Sequence, residues 1–227
     1  MSKTTIQASP TAFEFDIIET ALLIVDVQKD FLYPGGYGEF LGNNQALLQG
    51  VVAPISNLLK VWRQLRLPVV HTREGHKPDL SDCPPTKLTR WPEGTRIGDR
   101  GPMGRILVIG EEGQAIIDEL KPAPGEIVID KPGKNAFIKT NLESVLRSIR
   151  AKTLLIAGVT TDVSVLSTVT GANDLGFNAV VLQDCVASYS PSRHQAALEI
   201  ITAQGGIFGW VTSSSEILQV LQAMQVR

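Results

Sequence analysis

Short apolar runs along the chain alternate with segments in which apolar residues recur at helical spacing. The first run, residues 20–26, is almost unbroken and ends in Asp26, which is typical of a strand covered on both faces. Similar runs predict further strands at residues 67–71, 126–130, 153–158, 178–183 and 207–211.

Apolar residues three and four positions apart predict helices between these strands. They cover residues 44–66, 114–120, 140–150, 162–175, 192–203 and 214–224. Pro54 is expected to kink or divide the first helix, and Thr140 with Glu143 has the pattern of a capping box. Because strands that alternate with helices form βαβ units, the sequence predicts an α/β protein of three layers, α/β/α, with a mostly parallel central sheet and helices on both faces.

The length indicates one compact domain, residues 1–227, because a chain of this size buries most of the surface that its unfolded form exposes. Residues 1–18 are expected to form an N-terminal arm. Residues 74–113 are irregular and rich in Pro, Gly, Arg and Asp. A loop of this length in a compact domain usually has a function, so we interpret it as a lid or a subunit-contact loop.

Composition narrows the class of partner. The formal net charge is −2 and the charges are mixed, so no positive field predicts nucleic-acid binding. No apolar stretch approaches the roughly 20 residues that cross a bilayer, and residues 1–15 lack the pattern of a secretory signal. We therefore expect no membrane partner and a cytoplasmic location, in which Cys83 and Cys185 are free thiols.

Three residues with reactive side chains follow predicted strands. Asp26 ends the first strand, Lys131 follows the third, and Ser164 lies at the start of a helix after the fourth. Ligands bind beyond the carboxyl ends of parallel strands, so an acid, a base and a hydroxyl would converge there if the strands are neighbours. The alternatives are structural: Asp26 caps a helix or pairs with a lysine, and Ser164 bonds free backbone N–H groups.

Three segments, residues 22–31, 130–137 and 157–165, resemble in order the signatures of the isochorismatase-like cysteine hydrolases. The resemblance extends from about residue 20 to residue 210. Within that superfamily, residues 71–80, 97–102 and 130–134 look most similar to biuret hydrolases and triuret hydrolases. The resemblance implies an amidohydrolase of nitrogen metabolism that cleaves a C–N bond of small linear urea-type amides and releases ammonia through a covalent acyl-enzyme.

The family's catalytic triad corresponds to Asp26, Lys131 and position 164, which is a cysteine in the family. A helix N-terminus and an ammonium favour a thiolate there. The resemblance implies that Asp26 takes the thiol proton and passes it to the departing nitrogen. It also implies an oxyanion hole from the N–H groups of Thr160 and Ser164, with a cis peptide between Val159 and Thr160.

Resemblance to the biuret enzymes further implies that Gln204 and Lys134 bind carbonyl or amide groups and that Phe31 packs on the flat face of the substrate. In the structural alternative, Gln204 caps its helix, Lys134 is solvated and Phe31 belongs to the core. Arg73 and Glu74 are weaker candidates that pair with each other in the simplest interpretation.

We expect a small neutral amide substrate, no cofactor and a homo-oligomer, either dimer or tetramer. No metal is expected either, because the three histidines lack the Asp-x-His spacing of the metal site in nicotinamidases, which belong to the same superfamily.

Ser164 departs from the family pattern. An alcohol loses its proton far less readily than a thiol, and one lysine with a helix dipole shifts a pKa too little to compensate. Three explanations are open: an engineered Cys→Ser variant, which we favour, a natural binding protein descended from an enzyme, or a true serine hydrolase. The competing functions are an isochorismatase-type reaction, another small-amide hydrolysis such as that of ureidoacrylate, and non-catalytic binding of a small molecule.

Overall fold

The computed structural model describes residues 3–225. Its strands are β1 (Lys3–Ile6), β2 (Phe13–Asp16), β3 (Thr20–Val25), β4 (Val69–Glu74), β5 (Arg100–Gly101), β6 (Gly104–Arg105), β7 (Ile127–Lys131), β8 (Thr153–Val159), β9 (Asn178–Ala187) and β10 (Trp210–Thr212). Its α-helices are α1 (Lys29–Leu32), α2 (Tyr37–Phe40), α3 (Ala46–Gln49), α4 (Val52–Gln64), α5 (Pro85–Leu88), α6 (Leu142–Ser148), α7 (Leu166–Asp174), α8 (Pro191–Gly206) and α9 (Ser214–Gln225). Single turns of 3₁₀ or π type lie at Ile17–Glu19, Asp118–Leu120 and Thr161–Val165.

Six strands form one sheet in the order β10-β9-β8-β3-β4-β7, and every pair in it is parallel. Strand order runs outward in one direction from β3 through β4 to β7, and in the other from β8 through β9 to β10. The order therefore reverses between β3 and β8, which is where open α/β sheets form their binding crevice.

Each face of the sheet has its own apolar core. Side chains alternate along β3, so Leu22 and Ile24 join the cluster that packs against α4 and α9, whereas Leu23 joins the cluster that packs against α6, α7 and α8. The central strands are buried on both faces, which explains their nearly continuous apolar sequence. The predicted three-layer α/β/α fold with a parallel sheet is confirmed.

Several element boundaries differ from the predictions. Pro54 does not kink the helix that contains it, because it lies in the first turn of α4, where its missing N–H has no intrahelical partner to lose. The chain is divided earlier, between α3 and α4. The predicted capping box is wrong: α6 begins after Asn141, and Leu142 N–H donates to Thr140 Oγ1 at 3.2 Å. Residues 114–120 form only the single 3₁₀ turn Asp118–Leu120.

The segment expected to be irregular, residues 74–113, contains α5 and the two-residue strands β5 and β6. A third apolar cluster holds it in place, formed by Tyr37, Cys83, Ile97, Ile106 and Leu107. Before the sheet, β1 and β2 pair as an antiparallel hairpin, so the expected N-terminal arm is itself ordered from Lys3. None of the helices between residues 3 and 225 is long and apolar enough to cross a bilayer.

Candidate active site

The candidate site lies at the carboxyl edge of the four neighbouring strands β8, β3, β4 and β7. Val25 at the end of β3 is in register with Gly158 of β8, and Glu74 at the end of β4 is in register with Lys131 of β7. The backbones of β3 and β8 approach so closely that a Cβ added to Gly158 would overlap the carbonyl oxygen of Val25. These contacts bring the groups after each strand to one edge.

Asp26 is completely buried and forms an ion pair with Lys131, whose Nζ lies 2.6 Å from Asp26 Oδ2. The other carboxylate oxygen accepts a hydrogen bond from Thr72 Oγ1 at 2.8 Å. Asp26 has a φ of 52°, a left-handed conformation that is uncommon outside glycine and turns the chain sharply after β3. Burial, with a contribution from Glu74, raises the pKa of Asp26 above its usual range although Lys131 opposes the change.

Lys131 is also completely buried. Besides its contact with Asp26, its Nζ donates hydrogen bonds to the carbonyls of Gly133 at 2.7 Å and Lys134 at 3.1 Å. The three N–H groups of the ammonium thus each have an oxygen nearby. The ammonium therefore links the acid after β3 to the backbone of residues 133–134.

Ser164 lies in the π turn Thr161–Val165 that connects β8 to α7, and it is 4% exposed. The predicted cis peptide between Val159 and Thr160 is confirmed. The carbonyl of Thr160 accepts hydrogen bonds from the N–H groups of Val163 and Val165. The Thr160 N–H itself has no acceptor among the described residues, so a backbone donor is available close to Ser164.

A cavity of about 180 Å³ opens at this edge of the sheet. Ser164, Thr160, Lys134 and Phe31 all line it, whereas Asp26 and Lys131 are buried at the same edge of the sheet, outside the lining. The cavity is smaller than the roughly 300–1,000 Å³ of sites that hold drug-sized ligands. Its size suits a small molecule.

The predicted substrate-binding residue Gln204 does not reach this cavity. It is exposed and adopts a left-handed conformation near the end of α8, with a φ of 50°. Gly205, the next residue, is also left-handed. Because helical geometry is lost at Ala203, the chain turns there and leaves Gln204 on the surface. The sequence pattern contains no sign of this turn except the glycines that follow.

Glu74 is one of the weaker candidates in the sequence, and it lines the cavity. Its carboxylate is 1% exposed and is bound by Lys134, whose Nζ lies 2.8 and 2.6 Å from the two oxygens. Gln28 fixes its backbone, because the Gln28 side chain accepts from Glu74 N–H at 2.7 Å and donates to Glu74 O at 2.9 Å. The expected pairing of Glu74 with Arg73 was wrong, since Arg73 instead pairs with Asp130 at 2.8 Å.

Lys87 is a cavity residue that the sequence pattern did not reveal. It comes from α5 in the segment 74–113, and its Nζ lies 3.6 Å from Glu74 Oε1. Burial alone would raise the pKa of Glu74, but the ammonium groups of Lys134, Lys131 and Lys87 outweigh it and lower that pKa. Glu74 is therefore a carboxylate at neutral pH, available as a hydrogen-bond acceptor.

Other reactive groups lie outside the cavity. Cys83 and Cys185 are both free and buried, and burial raises the pKa of each thiol. Over residues 3–225, no three His, Cys, Asp or Glu side chains come together in a group that could hold a metal ion.

The fold and this edge define a class: a parallel α/β protein with a buried carboxylate–ammonium pair and a small cavity at the same edge of its sheet. The isochorismatase domain model matches residues 20–216, and the chain belongs to this family. It is similar to ureidoacrylate amidohydrolase RutB of Serratia proteamaculans, with 30% identity over 96% of this chain and 89% of the relative. It is 28% identical to ureidoacrylate amidohydrolase RutB of Agrobacterium fabrum over 96% of each chain. A cysteine hydrolase from Pseudomonas syringae pv. phaseolicola 1448A has the same fold, with a TM-score of 0.79, 23% identity and coverage of 98% and 99% of the two chains.

Proposed function

We propose that this protein is an amidohydrolase that cleaves a terminal C–N bond of a small urea-type amide, with position 164 as the site of the nucleophile. The observation that carries the proposal is the fully buried pair of Asp26 and Lys131, 2.6 Å apart, at the strand edge where Ser164 and the free Thr160 N–H line one cavity. The enzyme class agrees with the family and with the amidohydrolase names of the relatives.

The proposed chemistry requires a thiol at position 164. Asp26 accepts the thiol proton, the thiolate attacks the amide carbon, and the N–H groups of Thr160 and residue 164 stabilise the oxyanion. Asp26 then delivers the proton to the departing nitrogen, and ammonia leaves. Water attacks the thioester, Asp26 takes its proton and returns it to the sulfur, and Lys131 keeps its positive charge throughout.

The raised pKa of Asp26 suits this role. A carboxyl group that must both accept and donate a proton works best when its pKa lies nearer to neutrality than that of a solvated aspartate. Burial supplies that change, while Lys131 at 2.6 Å keeps the carboxylate form accessible. Ser164 interrupts the sequence of steps, because its hydroxyl is far too weak an acid for Asp26 to ionise.

Three explanations of Ser164 are open: an engineered Cys→Ser exchange, a natural binding protein descended from an enzyme, and a true serine hydrolase. We favour the engineered exchange, because the acid, the ammonium and the cavity are all retained. We infer that the Ser164 form binds substrate and turns it over very slowly.

For the substrate we propose biuret or triuret. These are flat molecules in which carbonyl and N–H groups alternate, and the cavity offers the ring of Phe31 together with charged groups from Glu74 and Lys134. A second candidate is ureidoacrylate, which is favoured by the names of the two curated relatives. Ureidoacrylate also contains a terminal urea-type amide, so the same chemistry would apply to it.

The test is ammonia release by the Ser164→Cys variant with biuret, triuret and ureidoacrylate in parallel. We expect a rise of orders of magnitude over the Ser164 form with one of these compounds. Ser144→Cys, which adds a thiol on the exposed face of α6, should stay at the Ser164 level. Asp26→Asn in the Ser164→Cys background should abolish the gain. Equal rates for the Ser164 form and the Ser164→Cys variant would rule out the thiolate mechanism.

A further inference from the structure

The Lys87 ammonium has one N–H that no described residue occupies. Its Nζ donates to the carbonyl of Pro132 at 2.5 Å and to His76 Nε2 at 3.0 Å. The distance of 3.6 Å to Glu74 Oε1 is too long for a hydrogen bond. Because an ammonium has three donors and Lys87 lines the cavity, the third is available to a ligand.

Glu74 stands between two such donors. Lys134 directs two N–H groups at the Glu74 carboxylate, at 2.8 and 2.6 Å, and also lines the cavity. A carboxylate has about four lone-pair positions, so Glu74 can still accept from a ligand. The wall of the cavity therefore presents a donor, an acceptor and a donor, in the order Lys87, Glu74 and Lys134.

We propose that Lys87 is a specificity-determining residue, which together with Glu74 and Lys134 recognises a carbonyl–NH–carbonyl unit in the substrate. The two ammonium groups donate to the two carbonyl oxygens, and Glu74 accepts the N–H between them. Biuret and triuret contain this unit, whereas a monosubstituted urea has only one carbonyl. The inference rests on the proposed function, because it assigns the part of the substrate that is not cleaved.

His76 is the positioning residue for Lys87. It is completely buried, its Nε2 accepts from Lys87, and its Nδ1 lies 3.3 Å from Asp82 Oδ1. Acceptance at Nε2 requires the neutral ring with its proton on Nδ1, and Nδ1 makes no hydrogen bond to any of the described residues. Burial, together with Lys87, lowers the pKa of His76 and keeps the ring neutral, although Asp82 and Glu74 oppose this.

The test uses Lys87→Met in the Ser164→Cys background, because methionine keeps most of the apolar stem and removes every donor. Loss of a hydrogen bond from a charged group predicts a rise of about 10- to 100-fold in KM for biuret, with kcat little changed. The preference for biuret over N-methylurea, measured as the ratio of their dissociation constants in the Ser164 form, should shrink by the same factor. Lys77→Met, the same substitution at an exposed position of the same segment, should change neither quantity.

His76→Phe provides the second measurement. It should raise KM when Lys87 is present and have no further effect in Lys87→Met, because both changes remove the same interaction. Additive effects of His76→Phe and Lys87→Met would overturn the positioning role. An unchanged biuret KM and an unchanged preference in Lys87→Met would overturn the inference while leaving the proposed function intact. Failure of the Ser164→Cys parent to release ammonia from biuret or triuret would instead overturn the proposed substrate and this inference together.

Discussion

Removing the positive charge of Lys131 is a stringent test of the buried ion pair. Asp26 and Lys131 are each 0% exposed, and no solvent compensates either charge if the other is lost. In Lys131→Met the methionine fills most of the space of the lysine stem, so the main change is the loss of the ammonium. Asp26 is then left buried and unpaired beside Glu74, the acidic neighbour that already raises its pKa.

Breaking one partner of a buried ion pair costs about 3–5 kcal/mol. A domain of ordinary stability, about 5–15 kcal/mol, would thus lose a fifth or more of its free energy of unfolding. Arg73→Met is the matched control, because the Arg73–Asp130 pair is about a third exposed on each side. Exposed pairs are typically worth about 0.2–1 kcal/mol, so this variant should stay close to the parent.

Urea unfolding, followed by fluorescence and circular dichroism, measures both variants, and an unchanged m-value would show that the midpoint reports stability. The loss in Lys131→Met should also depend on pH. Without Lys131, the pKa of Asp26 rises further above its unfolded value of about 3.9, so the folded state binds the proton more tightly. The variant is then least destabilised at low pH and loses stability as pH rises through the folded pKa.

Equal losses in Lys131→Met and Arg73→Met would refute the assignment of a buried, desolvated pair. So would a Lys131→Met deficit that is the same at pH 5 and pH 8. A double variant, Asp26→Asn with Lys131→Met, provides the internal check, because removal of both charges should recover part of the lost stability.

Two further predictions concern positions around the site. Gly158→Ala should destabilise the protein strongly and abolish ammonia release in Ser164→Cys, because its Cβ would overlap the carbonyl of Val25 and its φ is +113°. Gly125→Ala is the control, since its φ is +92° but the space around it is open, so it measures the backbone cost alone. Equal unfolding midpoints for the two variants would contradict the steric argument. Burial raises the pKa of Asp30 to about 6, so stability should fall as pH rises from the unfolded-state pKa of about 3.9 through about 6. Asp30→Asn should flatten this pH dependence in unfolding curves. An unaltered pH profile in that variant would show that another group is responsible.

The sheet was predictable because its strands are buried on both faces and therefore carry continuous apolar runs. Strand β8 was anticipated to within one residue, 153–158 against Thr153–Val159. The helices α1 and α2 were missed, since each has four residues and too few positions to show a period. The division before α4 was assigned to Pro54, although Pro54 lies within the first turn, where a proline is tolerated.

The candidate site was predictable in part for a similar reason. Asp26 and Lys131 each end an apolar run, and a parallel sheet brings the carboxyl ends of its strands to one edge whatever the loops do. Gln204 depended on the path of the chain after α8, and a local left-handed turn sends it to the surface.

By itself the sequence determined the layer architecture, the sheet edge at which Asp26, Lys131 and Ser164 lie and the order in which the chain reaches them. These follow from hydrophobic periodicity and from short motifs, which are local properties of the chain. Only the tertiary structure decided that Glu74 pairs with Lys134 rather than with its neighbour Arg73, and that α5 carries Lys87 into the cavity. Such pairings join residues tens of positions apart, so they depend on strand order and loop path, which no local pattern encodes.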